Sequence, residues 1–331
     1  MKALVLGGGS LKGAFQVGVI QAVLESGFEP EMIYGVSDGS LNAGFMVNEA
    51  GKQFIENKKI DWPAISRQLI EFWIKNITRP EDIAIVRSRF TLGIDTLMSR
   101  FDGLLDTTPL HNMIRNNVDE FILKNCPIKL KVGAVDVVSG KMVYATPDDE
   151  SFVEYIMASS SLPTLMPAIH IKGQRKSAFL DGGLRVVAPL KAALEDGATD
   201  VVCIACHAEH IYDEPVNYRN LLKLLDRVKD INVNQIVNSD IMWGQTYVEK
   251  EGLKGRILNL SVLRPHEPLK LDMLSFNSDD IVRLIVQGYK TGFEYIQEHG
   301  LSAAVNGINE ITEEAKRFKK ENTDYLDEPT E

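Results

Sequence analysis

Met32-Ile33-Tyr34-Gly35-Val36-Ser37-Asp38-Gly39-Ser40-Leu41-Asn42-Ala43-Gly44-Phe45-Met46-Val47 is the stretch on which the reading of this chain turns. A short apolar run enters the G-x-S-x-G pentapeptide Gly35 to Gly39, and a helix-like segment leaves it. A serine in such a strand–turn–helix setting sits on a strained turn with its hydroxyl exposed above a sheet. Gly35 and Gly39 are required because a Cβ at either place would collide with the neighbouring strand or helix. The helix that starts at the turn aims its positive end at the serine and favours negative charge developing there. Without chemistry, the same residues are a glycine-rich turn carrying an incidental serine.

A second glycine cluster, Gly7-Gly8-Gly9-Ser10-Leu11-Lys12-Gly13, follows the apolar run Ala3 to Leu6. After it, Ala14, Val17, Gly18, Ile20, Gln21, Ala22 and Leu24 keep helical spacing as far as Gly27, a natural stop. The cluster therefore joins a first strand to a first helix, with backbone N–H groups expected to face outward as anion donors. A phosphate cradle and an oxyanion hole compete as its purpose. Neither nucleotide signature fits: Lys12 precedes Gly13 instead of following it, and Gly7, Gly9 and Gly13 are spaced one residue too far for G-x-G-x-x-G.

An oxyanion hole needs a base for Ser37. Phe179-Leu180-Asp181-Gly182-Gly183 offers one: an apolar stretch ends in an acid, and Gly182 and Gly183 let the backbone turn sharply beside the serine loop. Most Asp-Gly pairs are turn-formers or helix caps, and that remains the plain alternative.

These blocks together resemble the patatin-like phospholipases, a family of lipid acyl hydrolases. Its glycine-rich motif, its G-x-S-x-G elbow and its D-G-G/A motif are matched in order by Gly8 to Gly13, Gly35 to Gly39 and Asp181 to Gly183. A fourth block, Ala158-Ser159-Ser160-Ser161-Leu162-Pro163-Thr164-Leu165-Met166-Pro167, is similar too. The likeness covers about the first two hundred residues. It implies a three-layer α/β/α sandwich with a mostly parallel central sheet. It also implies a Ser–Asp dyad without histidine: Ser37 as nucleophile, Asp181 as base, and the amides of Gly8, Gly9 and Ser10 as oxyanion hole. No metal or organic cofactor is implied. Ser10 stands where the family's third glycine falls, so its donor survives only if serine adopts the required backbone angle.

His207, His210, His266 and His299 follow Asp181 in order and are the candidates for a Ser–Asp–His triad. His207, at the end of the apolar run Val201 to Cys206, is the possible accessory, with a half-buried histidine at the sheet edge as the plainer reading. Asp38 is discounted as base because a tight turn aims its side chain away from the serine. Cys203-Ile204-Ala205-Cys206-His207 matches C-x-x-C-H, yet strand geometry sends the two thiols to opposite faces. Three cysteines argue against a disulfide framework and for a reducing compartment, expected to be the cytoplasm, and the N-terminus reads as a strand rather than a signal peptide.

With 331 residues, 44% hydrophobic and 25% charged, the chain can bury a large core. No apolar run approaches the ~20 residues of a membrane span. A formal net charge of −10 speaks against nucleic acid as a partner. A lipid ester is the expected substrate, reached through a transient membrane-surface contact at most. The expected organisation is a catalytic core over residues 1–210, with a helical insertion at about 52–125. A mostly helical part over 211–318 should pack on it, followed by a disordered acidic tail over 319–331. In the insertion, Ile65, Leu69, Ile70, Phe72, Trp73 and Ile77 form an apolar helical stripe, either a core face or a wall for an acyl chain.

Overall fold

In the computed structural model, which describes residues 1–88, 103–174, 177–213, 219–273 and 275–300, the first elements fall where the apolar spacing puts them. β1 (Lys2–Leu6) runs through the glycine loop into α1 (Gly13–Glu25), and β2 (Met32–Val36) runs through the serine turn into α2 (Asp38–Asn57). β3 (Ile85–Val86) and β4 (Leu105–Asp106) make a separate two-stranded ladder. The remaining strands are β5 (Lys129–Asp136), β6 (Lys141–Ala145), β7 (Phe179–Asp181), β8 (Asp200–Ile204) and β9 (Asn259–Leu263). Among the described residues the main sheet has seven strands in the order β6-β5-β2-β1-β8-β9, with β7 also on β5. Its β5-β2-β1-β8-β9 body is parallel, whereas β6 and β7 are antiparallel to β5.

Strand alternation builds the two cores. Leu4, Leu6, Ile33, Val202 and Ile204 point into one, while Ala3, Val5, Met32, Tyr34, Val201 and Cys203 point into the other. Over the first face lie α1, α2, α3 (Trp62–Asn76), α4 (Thr108–Asn117), α5 (Glu120–Lys124) and α6 (Phe152–Ser159). Over the second lie α7 (Leu190–Glu195) and α8 (Leu221–Leu253). Helices on both faces of a mostly parallel sheet make this the expected three-layer sandwich. α3 starts where Asp61 accepts the Ala64 N–H at 3.0 Å, and its stripe is buried against the first core.

The segment after residue 210 supplies more than helices. β9 extends the sheet in parallel beside β8, and α9 (Ser278–His299) packs on α1. A five-residue strand with polar Asn259 and Ser261 carries too weak a pattern to be read in advance. The α1–α9 contact needs glycine at two places. A Cβ on Gly18 would lie 1.9 Å from the Ile285 carbonyl oxygen, and one on Gly288 would lie 1.9 Å from that of Phe15. The proposed acidic tail, over 319–331, lies outside the described residues.

Candidate active site

Strand register brings Ser37 and Asp181 together. β2 follows β5 only as far as Val36, opposite Gly133, where the chain leaves the sheet at the serine turn. β6 occupies the other edge of β5, so β7 takes up the edge that β2 vacates, with Asp181 opposite Ala134. The two side chains, 144 residues apart, thus meet at one strand end, and the Ser37 hydroxyl donates to Asp181 Oδ2 at 2.6 Å. Both residues are buried.

The turn at Ser37 is strained and held. Its φ of 58° and ψ of −131° lie where non-glycine residues cost roughly 1–3 kcal/mol. Its N–H donates to the Ser159 hydroxyl at 2.9 Å, which donates in turn to the Gly133 carbonyl at 2.6 Å. Its carbonyl accepts the Ser40 N–H at 2.9 Å, the Ser40 hydroxyl at 2.6 Å and the Ser160 hydroxyl at 3.3 Å. The Asp181 N–H donates to the Ser161 carbonyl at 2.9 Å. The serine run 159–161 is therefore the brace of the site, a role that its sequence alone does not reveal. Gly35 and Gly39 let the turn close: a Cβ on Gly35 would lie 2.5 Å from the Gly39 carbonyl oxygen, and one on Gly39 2.2 Å from that of Leu6. Ser159→Ala removes an acceptor and a donor from buried backbone groups, and should cost about 2 kcal/mol in a denaturant melt. An unchanged midpoint would contradict the bracing role.

Electrostatics suit Asp181 to take a proton. Burial pushes its carboxyl up to about 6, against the pull of the Ser37 hydroxyl, the Gly183 amide and the Lys229 charge. Gly183 N–H donates to Asp181 Oδ1 at 2.7 Å, which leaves Oδ2 for the serine. Lys229 is itself tied to Asp226 at 2.5 Å.

The glycine loop differs from its expected outward-facing row of donors. Gly7 N–H donates to the Ile204 carbonyl at 2.9 Å, and Gly8 N–H to that of Val187 at 3.0 Å. Buried amides so close to the sheet must be paired, and backbone carbonyls reach them first. Gly9 N–H donates to Asp38 Oδ1. Asp38 indeed turns away from the serine hydroxyl, but onto the loop, and space for it exists because Gly13 has no Cβ; one there would lie 2.3 Å from Asp38 Oδ2. Gly8 stands against Ser37, since a Cβ on it would lie 2.9 Å from the Ser37 Cβ. Ser10 adopts φ 59°, so serine does take the left-handed conformation this place demands.

A cleft of about 470 Å³ opens over the pair, walled by Gly8, Leu162, Leu165, Leu184, Leu225 and Val228 among others. A second, small cavity of about 50 Å³ borders Ser37 between Trp73, Ile77, Ile83, Leu110, Met166 and Met273. The α3 stripe thus serves as core face and cavity wall at once. His207 lines the larger cleft, buried, with Nδ1 lacking a partner among the described residues. Burial, reinforced by the Lys12 charge, pushes it down to about 3, so it is neutral at ordinary pH. The Ser37 hydroxyl is bonded to Asp181 and not to His207. Gly182 lets the chain pass β5, a Cβ on it lying 2.4 Å from the Gly133 carbonyl oxygen. Cys126, Cys203 and Cys206 are free thiols. No helix among the described residues is long and apolar enough to cross a membrane.

Residues 4–194 match the family described as patatin-like phospholipase, and the chain belongs to that family. It is 22% identical over 288 residues to the uncharacterized protein YjjU of Escherichia coli K12, covering 81% of this chain and 70% of that one. It is 25% identical over 203 residues to patatin-like phospholipase domain-containing protein 7 of Rattus norvegicus, covering 61% of this chain and 13% of that protein. The crystal structure of VipD from Legionella pneumophila aligns over 98% of this chain and 76% of that one, at 13% identity and a TM-score of 0.41. Family membership brings lipid acyl hydrolysis as the general activity.

Proposed function

We propose that the protein hydrolyses lipid acyl esters, of the phospholipase A, lysophospholipase or carboxylesterase kind, through an acyl-enzyme on Ser37. The observation that carries this reading is the 2.6 Å hydrogen bond from a strained serine to a buried carboxylate at the floor of an apolar cleft. Ser37 Oγ attacks the ester carbonyl carbon as its proton passes to Asp181 Oδ2. The carbonyl oxygen becomes the oxyanion, held by the loop amides of Gly9 and Ser10. Collapse breaks the ester C–O bond, and Asp181 returns the proton to the departing alcohol. Water then repeats the sequence on the acyl-enzyme and releases the fatty acid. A carboxyl raised toward 6 is a better base than an ordinary aspartate, which suits a dyad lacking imidazole.

The base works only when ionised, so kcat/KM should rise with pH through about 6 and level off above it. A profile flat from pH 5 to pH 8, at about constant fold stability, would contradict Asp181 as the base. A nucleotide at the glycine loop is disfavoured because Lys12 precedes Gly13 and the Gly7, Gly9 and Gly13 spacing fits neither phosphate-binding pattern. A catalytically silent scaffold would lack acyl release altogether. The free cysteines, of which Cys203 and Cys206 are buried, suit a reducing compartment, and we place the protein in the cytoplasm, meeting lipid by transient contact.

The direct test is release of fatty acid from phosphatidylcholine vesicles, lysophosphatidylcholine and a p-nitrophenyl ester, for wild type and Ser37→Ala. Release from at least one, abolished in Ser37→Ala, is expected. No release from any, or release that persists without the serine, would overturn the proposal.

A further inference from the structure

Asp38 is a buried acid that the reaction above does not use. Its carboxylate takes the Gly9 N–H, and the amides of Ser10 and of Asp38 itself also favour its charged form. The glycine loop and the start of α1 wrap around it, with Gly13 giving it room and Cys206 Sγ 3.9 Å away. Only 7% of it is exposed. Burial in these surroundings pushes its carboxyl well above the usual range, and the Asp181 charge adds to that push.

This arrangement has a consequence for the chemistry. A tetrahedral intermediate on Ser37 puts a negative oxygen where backbone N–H groups of this loop can reach it. Gly8 and Gly7 amides are already spent on Val187 and Ile204, which leaves the next two amides, those of Gly9 and Ser10, as loop donors. Those two face the Asp38 carboxylate. An oxyanion and the Asp38 carboxyl compete for them, since an N–H directed at one acceptor is not available to the other. We propose that the Asp38 carboxyl occupies the oxyanion nest as an internal acceptor, and that Ser37 is acylated only as Asp38 yields the Gly9 N–H to the substrate oxygen. Asp38 is then a positioning residue, acting on the reaction through the loop amides. It sets how readily the site accepts a substrate oxyanion. The inference rests on Ser37 being the nucleophile and the glycine loop the oxyanion donor.

Fluorophosphonate labelling tests it, because the phosphonyl oxygen of the adduct must occupy the same nest. Second-order labelling rates would be measured for wild type, Asp38→Ala, Asp38→Asn and Ser37→Ala, with each variant's melting curve recorded. Asp38→Ala frees the amides and should label about tenfold faster or more, scaled on the worth of an oxyanion donor. Asp38→Asn keeps an acceptor oxygen but no charge, and should fall between. With a p-nitrophenyl ester the gain should appear in kcat and leave KM nearly unchanged. A residue that merely supports the loop would slow the reaction when removed, never speed it. Equal or slower labelling in the folded Asp38 variants overturns the inference, and Asp38→Asn decides alone if Asp38→Ala does not fold. Labelling that survives in Ser37→Ala would instead remove the reading beneath it.

Discussion

Asp181→Asn should lower kcat by about 10³- to 10⁴-fold while making the protein more stable at alkaline pH, the loss scaled on orienting acids of other serine hydrolases. The activity is lost because an amide cannot receive the proton that Ser37 now gives to Oδ2 over 2.6 Å. The gain in stability follows from the raised carboxyl. Folding favours the protonated form of Asp181, so its burial costs nothing in acid, below the ordinary aspartate range. The penalty then grows as pH rises through about 6. Near pH 8 it reaches as much as about 3 kcal/mol, which the neutral amide avoids. Denaturant melts of both proteins at about pH 4 and pH 8 check this: the variant should gain on wild type only at the higher pH. An Asp181→Asn protein that is inactive but no more stable at pH 8 would mean the carboxyl is not held up by burial. One that is active would mean Asp181 is not the base.

Gly18→Ala and Gly288→Ala should each destabilise the fold by about 3 kcal/mol or more, at the severe end of overpacking. In both cases the added carbon would sit 1.9 Å from a backbone carbonyl oxygen of the facing helix, and backbone cannot rotate aside as a side chain can. α1 carries the glycine loop at its start, so prying α9 from α1 should also disturb the loop. Urea midpoints read the effect, with m-values checked to ensure that the unfolding reaction is the same. Substitutions that leave the midpoint in place would show that the helices are not in such close contact. Gly27→Ala tests something different, because its Cβ would meet nothing within 4 Å while its φ of 89° is costly for alanine. It should be milder, by about 1 kcal/mol.

The two strand–turn–helix units at the N-terminus were legible because each is an apolar run punctuated by glycines that a Cβ would break. Asp181 was legible only through its glycine motif and the family resemblance. The physical cause of its position, β7 taking the edge of β5 that β2 leaves, is a fact of register invisible in a three-residue strand. β9 escaped notice for a similar reason. Ser159 and Ser161 stood in plain view inside a motif, but their work is to bond backbone groups of distant loops, and a sequence does not say which loops will be near. Asp38 shows the same limit from the other side. A tight turn correctly sends its carboxylate away from the serine hydroxyl. That this leads it onto an amide 29 residues earlier depends on two loops meeting at adjacent strand ends.

The proposed chemistry stands on Ser37 Oγ as the attacking atom. Peptide mapping by mass spectrometry after reaction with a fluorophosphonate tests it most directly. One adduct is expected, on Ser37, slower to form below about pH 6 and lost in Ser37→Ala. An adduct on another residue, or none on a folded wild-type protein, would contradict it.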